Sequence, residues 1–136
     1  MKNNTKWLPL VLGGVLGGFF IYKGLTKHWL SACKVYGPES TIPLEYQQVI
    51  TAFCQAGFLK LIGALQIIFG LMLLFNRTRL MGAIMMLPLI LNIFLIHLFL
   101  DNRPEELVET GIPMAINIAI LAIYYPKWKG LLERSN

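Results

Sequence analysis

Charge is scarce in this chain. Only 14% of its 136 residues are Asp, Glu, Lys or Arg, against about 25% in ordinary soluble domains. That is too little to coat a water-soluble globule of this size. Two cysteines exclude a disulfide-rich secreted scaffold. Two histidines and two cysteines at wide spacing give no metal signature. There is no phosphate-binding loop, no nucleophile elbow and no pair of carboxylates at membrane depth. Repeats and low-complexity tracts are also missing. What the chain has in excess is apolar surface, 56% of residues, where about 45–50% is usual. Such apolarity excludes disorder, which needs few apolar residues and a high net charge. A small integral membrane protein is the class that remains.

A hydrocarbon core about 30 Å thick takes roughly 20 apolar residues per helix. Four segments qualify, at about 7–25, 51–75, 80–100 and 109–125. The expected fold is therefore all-α, a single-domain integral membrane four-helix bundle with a longer outer loop between helices 1 and 2. That loop, residues 23–50, has turn chemistry at Gly37-Pro38 and Ile42-Pro43, and Pro43 opens a short helix feeding the second span. The short Asn76-Arg77-Thr78-Arg79 turn makes helices 2 and 3 an antiparallel hairpin. Pro9 and Pro113 read as helix starts, Pro88 as a kink in the third helix and Pro126 as the end of the last.

With four spans, both termini share a side with the 76–79 turn. Lys2, Lys6, Arg77, Arg79, Lys127, Lys129 and Arg134 fall there, against Glu133. The opposite side holds Lys23, Lys27, Lys34 and Arg103 with six of the acids. The positive-inside rule then predicts a multi-pass protein of the cell inner (plasma) membrane with both termini cytoplasmic. Trp7, Tyr124, Tyr125 and Trp128 fall at the inner interface, as aromatic belts do. The net charge of +5 thus reads as orientation rather than nucleic-acid binding. A cleaved signal peptide is the rival reading of the first span. Leu30-Ser31-Ala32-Cys33 resembles a lipoprotein cleavage box, but Lys23, Lys27 and His28 separate it from the apolar run.

Polar side chains at membrane depth are costly and face a bundle interior, so each marks a candidate site. Here they are Gln55, Lys60, Gln66, Asn92, His97 and Asn117. At 1.5 Å per residue from the outer helix ends, Lys60 lies about 13 Å deep, Asn92 about 12 Å and Asn117 about 9 Å. His97 lies shallower, at about 5 Å, and Gln66 deepest, past about 20 Å. Polar groups on three helices therefore share a level in the outer half. One reading is a polar pocket open to the outer face. Lys60 serves it as cation or proton donor, Asn92 and Asn117 as amide partners and His97 as the titratable group at its mouth. Apolar walls with a few donors suit a quinone-like or other amphipathic small molecule. The other reading is that these residues glue helices together, at about 0.6 kcal/mol per hydrogen bond, or that Lys60 snorkels outward. Asn92 and His97 stand about 140° apart around one helix, so both do not point at one spot unless the helix bends.

Gly13/Gly17 and Gly14/Gly18 are two overlapping small-xxx-small pairs, suited to packing inside the bundle or to a homodimer seam. Gly57, Gly63 and Gly70 make the second helix a fitting neighbour. Cys33 and Cys54 lie on the same outer side, where they remain free or buried thiols, form a structural disulfide or act as a redox pair. Glu105, Glu106 and Glu109 read as acids at the positive end of the fourth helix.

Three stretches resemble the DoxX-like family of small four-helix membrane proteins. Gly18 to Lys27, GFFIYKGLTK, resembles the family's first-helix ending, a glycine and an apolar stretch followed by Gly-x-x-Lys. Leu61 to Phe75, LIGALQIIFGLMLLF, is similar to its second helix. Pro88-Leu89-Ile90-Leu91-Asn92 with His97-Leu98-Phe99-Leu100 resembles its third. Gln66 stands where many relatives carry Glu, so a proton step using that carboxylate would be missing here. The resemblance implies a four-helix bundle, and a subunit associated with quinone-linked or thiol-related redox chemistry. Animal relatives at greater distance act as assembly factors, so a non-catalytic scaffold is the alternative. The ligand set expected is Lys60, Asn92, His97, Asn117 and Gln66. No cofactor is evident beyond a quinone, and no catalytic residue set is legible. Expected partners are membrane lipid and a membrane partner subunit or second copy. Four short helices with no inverted repeat and no ring of charges do not fit a carrier or channel.

Overall fold

The computed structural model describes residues 5–133. Among the described residues the chain is helical, without strands. Helix α1 (Trp7–Lys23) runs on through a π-helical turn, Gly24–Trp29. An irregular stretch leads to α2 (Leu44–Gln55), α3 (Phe58–Leu74), α4 (Arg79–Ile96) with its own π-helical turn His97–Asp101, α5 (Pro104–Ile123) and α6 (Tyr125–Trp128). Three helical segments are long and apolar enough to cross a membrane: Trp7–Trp29, Arg79–Asp101 and Pro104–Ile123. Helices α2 and α3, of 12 and 17 residues, are long enough only when taken together, and they are bent by 80° to each other. The fold is thus consistent with a multi-pass membrane protein of three or four spans.

The bend corrects the expectation of one straight second helix over 51–75. Gly57 takes a left-handed conformation, φ 78°, and its N–H bonds to the Cys54 carbonyl at 3.0 Å. A residue of that kind closes a helix end. Helix α2 therefore stops at Gln55 and a new helix starts at Phe58. Pro43 stands at the N-cap of α2, as its position in the sequence indicates. The last long helix starts at Pro104 rather than near 109, with proline in the first turn and Glu105 and Glu106 behind it. Pro113 consequently lies inside this helix and not at its start.

Helices α1 and α3 approach backbone to backbone through glycine. A Cβ on Gly17 would stand 2.6 Å from the Gly70 carbonyl oxygen, and one on Gly70 would stand 2.9 Å from that of Gly17. Gly24 and Gly63 form a second reciprocal pair at 2.6 and 2.9 Å. Seven residues, two helical turns, separate the pairs on each chain segment, so the two helices run antiparallel. Of the two small-residue pairs in α1, Gly13 and Gly17 face inward, while a Cβ on Gly14 or Gly18 would meet nothing within 4 Å among the described residues. Leu16, Phe20, Phe69, Leu73, Met86 and Ile120 fill the core around this seam.

The turn between α3 and α4 satisfies the last carbonyls of α3, which have no helical partner of their own. Thr78 Oγ1 donates to Met72 O at 2.8 Å, Arg79 Nε to Leu73 O at 2.9 Å and Arg79 Nη2 to Leu74 O at 3.2 Å. The Arg79 side chain is buried, and Tyr124 Oη lies 3.4 Å from its Nη1. Its positive charge faces the negative end of the α3 dipole. Among the charges assigned to the terminal side, Lys2 and Arg134 lie outside the described residues.

The seam generates a test with opposite signs at adjacent residues. Gly17→Ala should lower stability by about 1–3 kcal/mol through overpacking. Gly18→Ala should leave stability unchanged or raise it by up to about 1 kcal/mol through helix propensity. Thermal unfolding of both variants in neutral detergent measures the contrast, and equal effects would contradict the seam.

Candidate functional site

The bend at Gly57 swings α2 away from the line of α3 and leaves a cavity of about 800 Å³. It lies between the end of α1, the 30–43 stretch, α2, α3 and the adjoining ends of α4 and α5. Phe19, Phe20, Ile62, Ile90 and Ile93 supply apolar wall. Polar groups from every one of these segments reach it, which fits the general form of a small-molecule site.

Cys33 and Cys54 are bridged, with 5.7 Å between their Cα atoms, and both line the cavity. A disulfide joins them, so the free-thiol option open from sequence does not hold. Its partners meet because α2 ends just after Cys54 and turns at Gly57. The bridge fastens the otherwise lightly bonded 30–43 stretch to the end of α2, so it holds one wall of the cavity in place.

His97 belongs to a second polar group on the cavity wall. Its Nδ1 lies 3.1 Å from Asp101 Oδ2 and 3.9 Å from Glu106 Oε2. Arg103 donates to both Asp101 oxygens, from Nε at 2.6 Å and from Nη2 at 2.8 Å, and its Nη2 lies 3.4 Å from Glu106 Oε1. The Tyr46 ring packs on the imidazole at 5.3 Å. Hydrogen bonding to Asp101 raises the Arg103 pKa further above its ordinary value, so this cation is permanent. His97, Asp101 and Glu106 place their ligand atoms within 4.8 Å of one another, a donor set that divalent ions accept. A metal would nevertheless have to displace a forked guanidinium from Asp101. With Arg103 in place the group reads as an ion-pair network joining the ends of α4 and α5.

Three of the five expected ligand residues, Lys60, Gln66 and His97, line the cavity. Lys60 is not deep in a straight span. It sits in the first turn of α3 and is exposed, because α3 begins only at Phe58. Gln66 is eight residues into α3, about 12 Å along its axis, and is only 3% exposed. Its Oε1 has no hydrogen-bond partner among the described residues. Asn92 and Asn117 lie elsewhere. Asn92 is exposed and folds back to donate to Pro88 O at 2.7 Å. Asn117 is fully buried and donates to Ala83 O at 3.0 Å, joining α5 to α4. The 140° separation of Asn92 and His97 thus holds in space, one facing out and the other in.

Sequence reasoning passed over His28, Arg103 and Tyr46. His28 packs its Cβ against Gly63 at the glycine seam, and its Nδ1 is buried without a partner on the cavity wall. Arg103 counted only as a topology charge, although the Asp101-x-Arg103 spacing was visible. Lys23 pairs with Glu109 across the cavity, tying α1 to α5. Glu109 and Glu106 are therefore wall residues as well as helix-start acids. No protein family, curated protein or solved structure matches the chain.

The bridge closes a loop of 21 residues, which chain entropy values at about 3 kcal/mol. Cys33→Ser combined with Cys54→Ser should lower stability by about that amount. A reductant should shift the melting temperature of the parent chain and leave that of the double variant in place.

Proposed function

We propose that this chain is a DoxX-like four-helix bundle of the cell inner membrane, with both termini cytoplasmic and the cavity opening outward. In this reading it binds an amphipathic small molecule inside the bundle. It serves as a subunit associated with quinone-linked or thiol-related redox chemistry. The observation that carries the reading is Gln66, an amide buried at the wall of a large cavity without a partner for its oxygen. Leaving such a group unsatisfied costs about 1–3 kcal/mol. A ligand that hydrogen-bonds to it removes that cost, and apolar walls hold the ligand's body. The amide offers a donor and an acceptor, which suits both the carbonyl of a quinone and the hydroxyl of its reduced form. The Cys33–Cys54 bridge on the same wall is compatible with either redox association.

The alternative is a non-catalytic membrane scaffold or assembly factor. Gly14 and Gly18, with open space where a side chain would stand, favour it as a surface for another helix. Loss of a co-purifying subunit in Gly14→Leu, with ligand binding intact, would support that role.

The binding reading is tested with decyl-ubiquinone and the purified protein in neutral detergent. Saturable binding is expected, and Gln66→Leu should weaken it by about tenfold, or about 1.4 kcal/mol. The same variant should keep or raise the melting temperature, since an apolar side chain replaces an unpaired amide. Unsaturable binding, or equal affinity in both proteins, would remove the quinone reading.

A further inference from the structure

The charges near the cavity are sorted by sign in a way that the sequence does not show. Apart from Arg77 and Arg79 in the turn between α3 and α4, every Lys and Arg between residues 23 and 103 lines the cavity. These are Lys23, Lys27, Lys34, Lys60 and Arg103. The acids of the same half are more numerous, yet Glu39, Glu45, Asp101 and Glu105 are not on the wall, which takes only Glu106 and Glu109. Both wall acids are already engaged. Glu109 pairs with Lys23, and Glu106 joins Asp101 around Arg103 and His97. That second group carries one net negative charge with His97 neutral and none with it protonated. Against it stand Lys27, Lys34 and Lys60, none of which makes an ion pair among the described residues. Lys34 lies over the Tyr36 ring, its ammonium 5.3 Å from the centroid.

We infer that this cavity also takes an anionic amphiphile, distinct from the neutral quinone proposed above: a molecule with an apolar body and a single acidic headgroup of the carboxylate or phosphate kind. The cavity carries a positive excess between low-dielectric walls, an arrangement that focuses potential and concentrates anions. The headgroup meets the unpaired lysines at the mouth, and the body lies along Phe19, Phe20, Ile62 and Ile90 toward Gln66. The three lysines come from the end of α1, the 30–43 stretch and the start of α3. The Gly24/Gly63 contact sets the turn after α1 against the start of α3, and the bend at Gly57 with the Cys33–Cys54 bridge brings the 30–43 stretch to the same opening. The inference uses the cavity-binding part of the proposed function and is independent of its redox association. A membrane lipid and a free amphipathic acid would present the same headgroup chemistry.

The test places the protein in nanodiscs of phosphatidylcholine and titrates it with octyl phosphate and with octanol, which share one chain length. Octyl phosphate should bind one per chain, more tightly than octanol by about tenfold or more, and weaken as salt rises. Lys27→Gln with Lys60→Gln should remove most of that advantage and leave octanol binding unchanged. Lys127→Gln with Lys129→Gln, at the far end of the molecule, should leave both unchanged. If phosphatidylglycerol in the disc displaces octyl phosphate, a lipid headgroup is the source; if it does not, a free acid is. Equal affinity for octyl phosphate and octanol would overturn the anionic inference and leave cavity binding standing. So would an equal loss in the Lys127/Lys129 variant. Binding of neither probe would remove cavity binding itself.

Discussion

The contact between the backbones of α1 and α3 is the constraint from which the rest of this structure follows. Two reciprocal glycine pairs allow it, Gly17 with Gly70 and Gly24 with Gly63, and a methyl group at any of the four would meet a carbonyl oxygen at 2.6–2.9 Å. In hydrocarbon no hydrophobic force draws helices together, so dispersion across a close seam carries the association. The seam also decides what is buried. It draws the π-helical turn after α1 against the first half of α3, which takes His28 out of solvent contact at its Nδ1 and covers Gln66. At the other end, Arg79 stands in the same groove beside Gly13 and caps α3. One line of missing side chains therefore positions both a structural cation and the polar wall of the cavity.

The cavity itself depends on a second device, the left-handed Gly57. A straight helix from 44 to 74 would pass the ends of α4 and α5 without enclosing a space between them. Stopping α2 at Gln55 and turning by 80° lays it across the bundle end and brings Cys54 to Cys33. The covalent tie then adds to the few, mostly local hydrogen bonds of the 30–43 stretch, such as Ser40 N–H to Gly37 O and Ile42 N–H to Ser40 Oγ. The two ion-pair groups on the wall have a different effect. By pairing Glu109 with Lys23, and Asp101 and Glu106 with Arg103, they tie α1, α4 and α5 together at the open end. The balance of charge on the wall after that pairing is positive, and the excess belongs to Lys27, Lys34 and Lys60.

The spans were legible because their signal is long and additive. About twenty apolar residues with no charge leave few alternatives, and a cap proline such as Pro43 marks a helix start by a local rule, although Pro113, read in the same way, lies inside its helix. Angles within one helix were equally legible, as the opposed directions of Asn92 and His97 demonstrate. The bend was not. Gly57 stood in a series with Gly63 and Gly70, and small residues in an apolar run read as packing when one of them is a helix stop. Depth arithmetic on Lys60 and Gln66 failed for the same reason, since it assumed a straight axis. Nor could the sequence separate Gln66 from Asn117, two amides in apolar runs. What distinguishes them is the neighbour each one meets.

That distinction bears directly on function. Asn117 and Gln66 are both buried, and each has an oxygen without a partner. Asn117 lies where α4 and α5 touch, and its donation to Ala83 O joins the two helices. The amide contributes to the fold even with one lone pair idle. Gln66 makes no side-chain hydrogen bond among the described residues, so the fold gains nothing from its polarity. A leucine of similar volume would fill the same place without the desolvation cost of about 1–3 kcal/mol. Local violations of this kind concentrate where a protein meets a ligand. The unpaired amide faces a cavity with open volume, apolar sides and an excess of lysine at the mouth. Helix glue accounts for Asn117; it does not account for Gln66, whose unpaired oxygen on the cavity wall is the ground on which the proposed ligand rests.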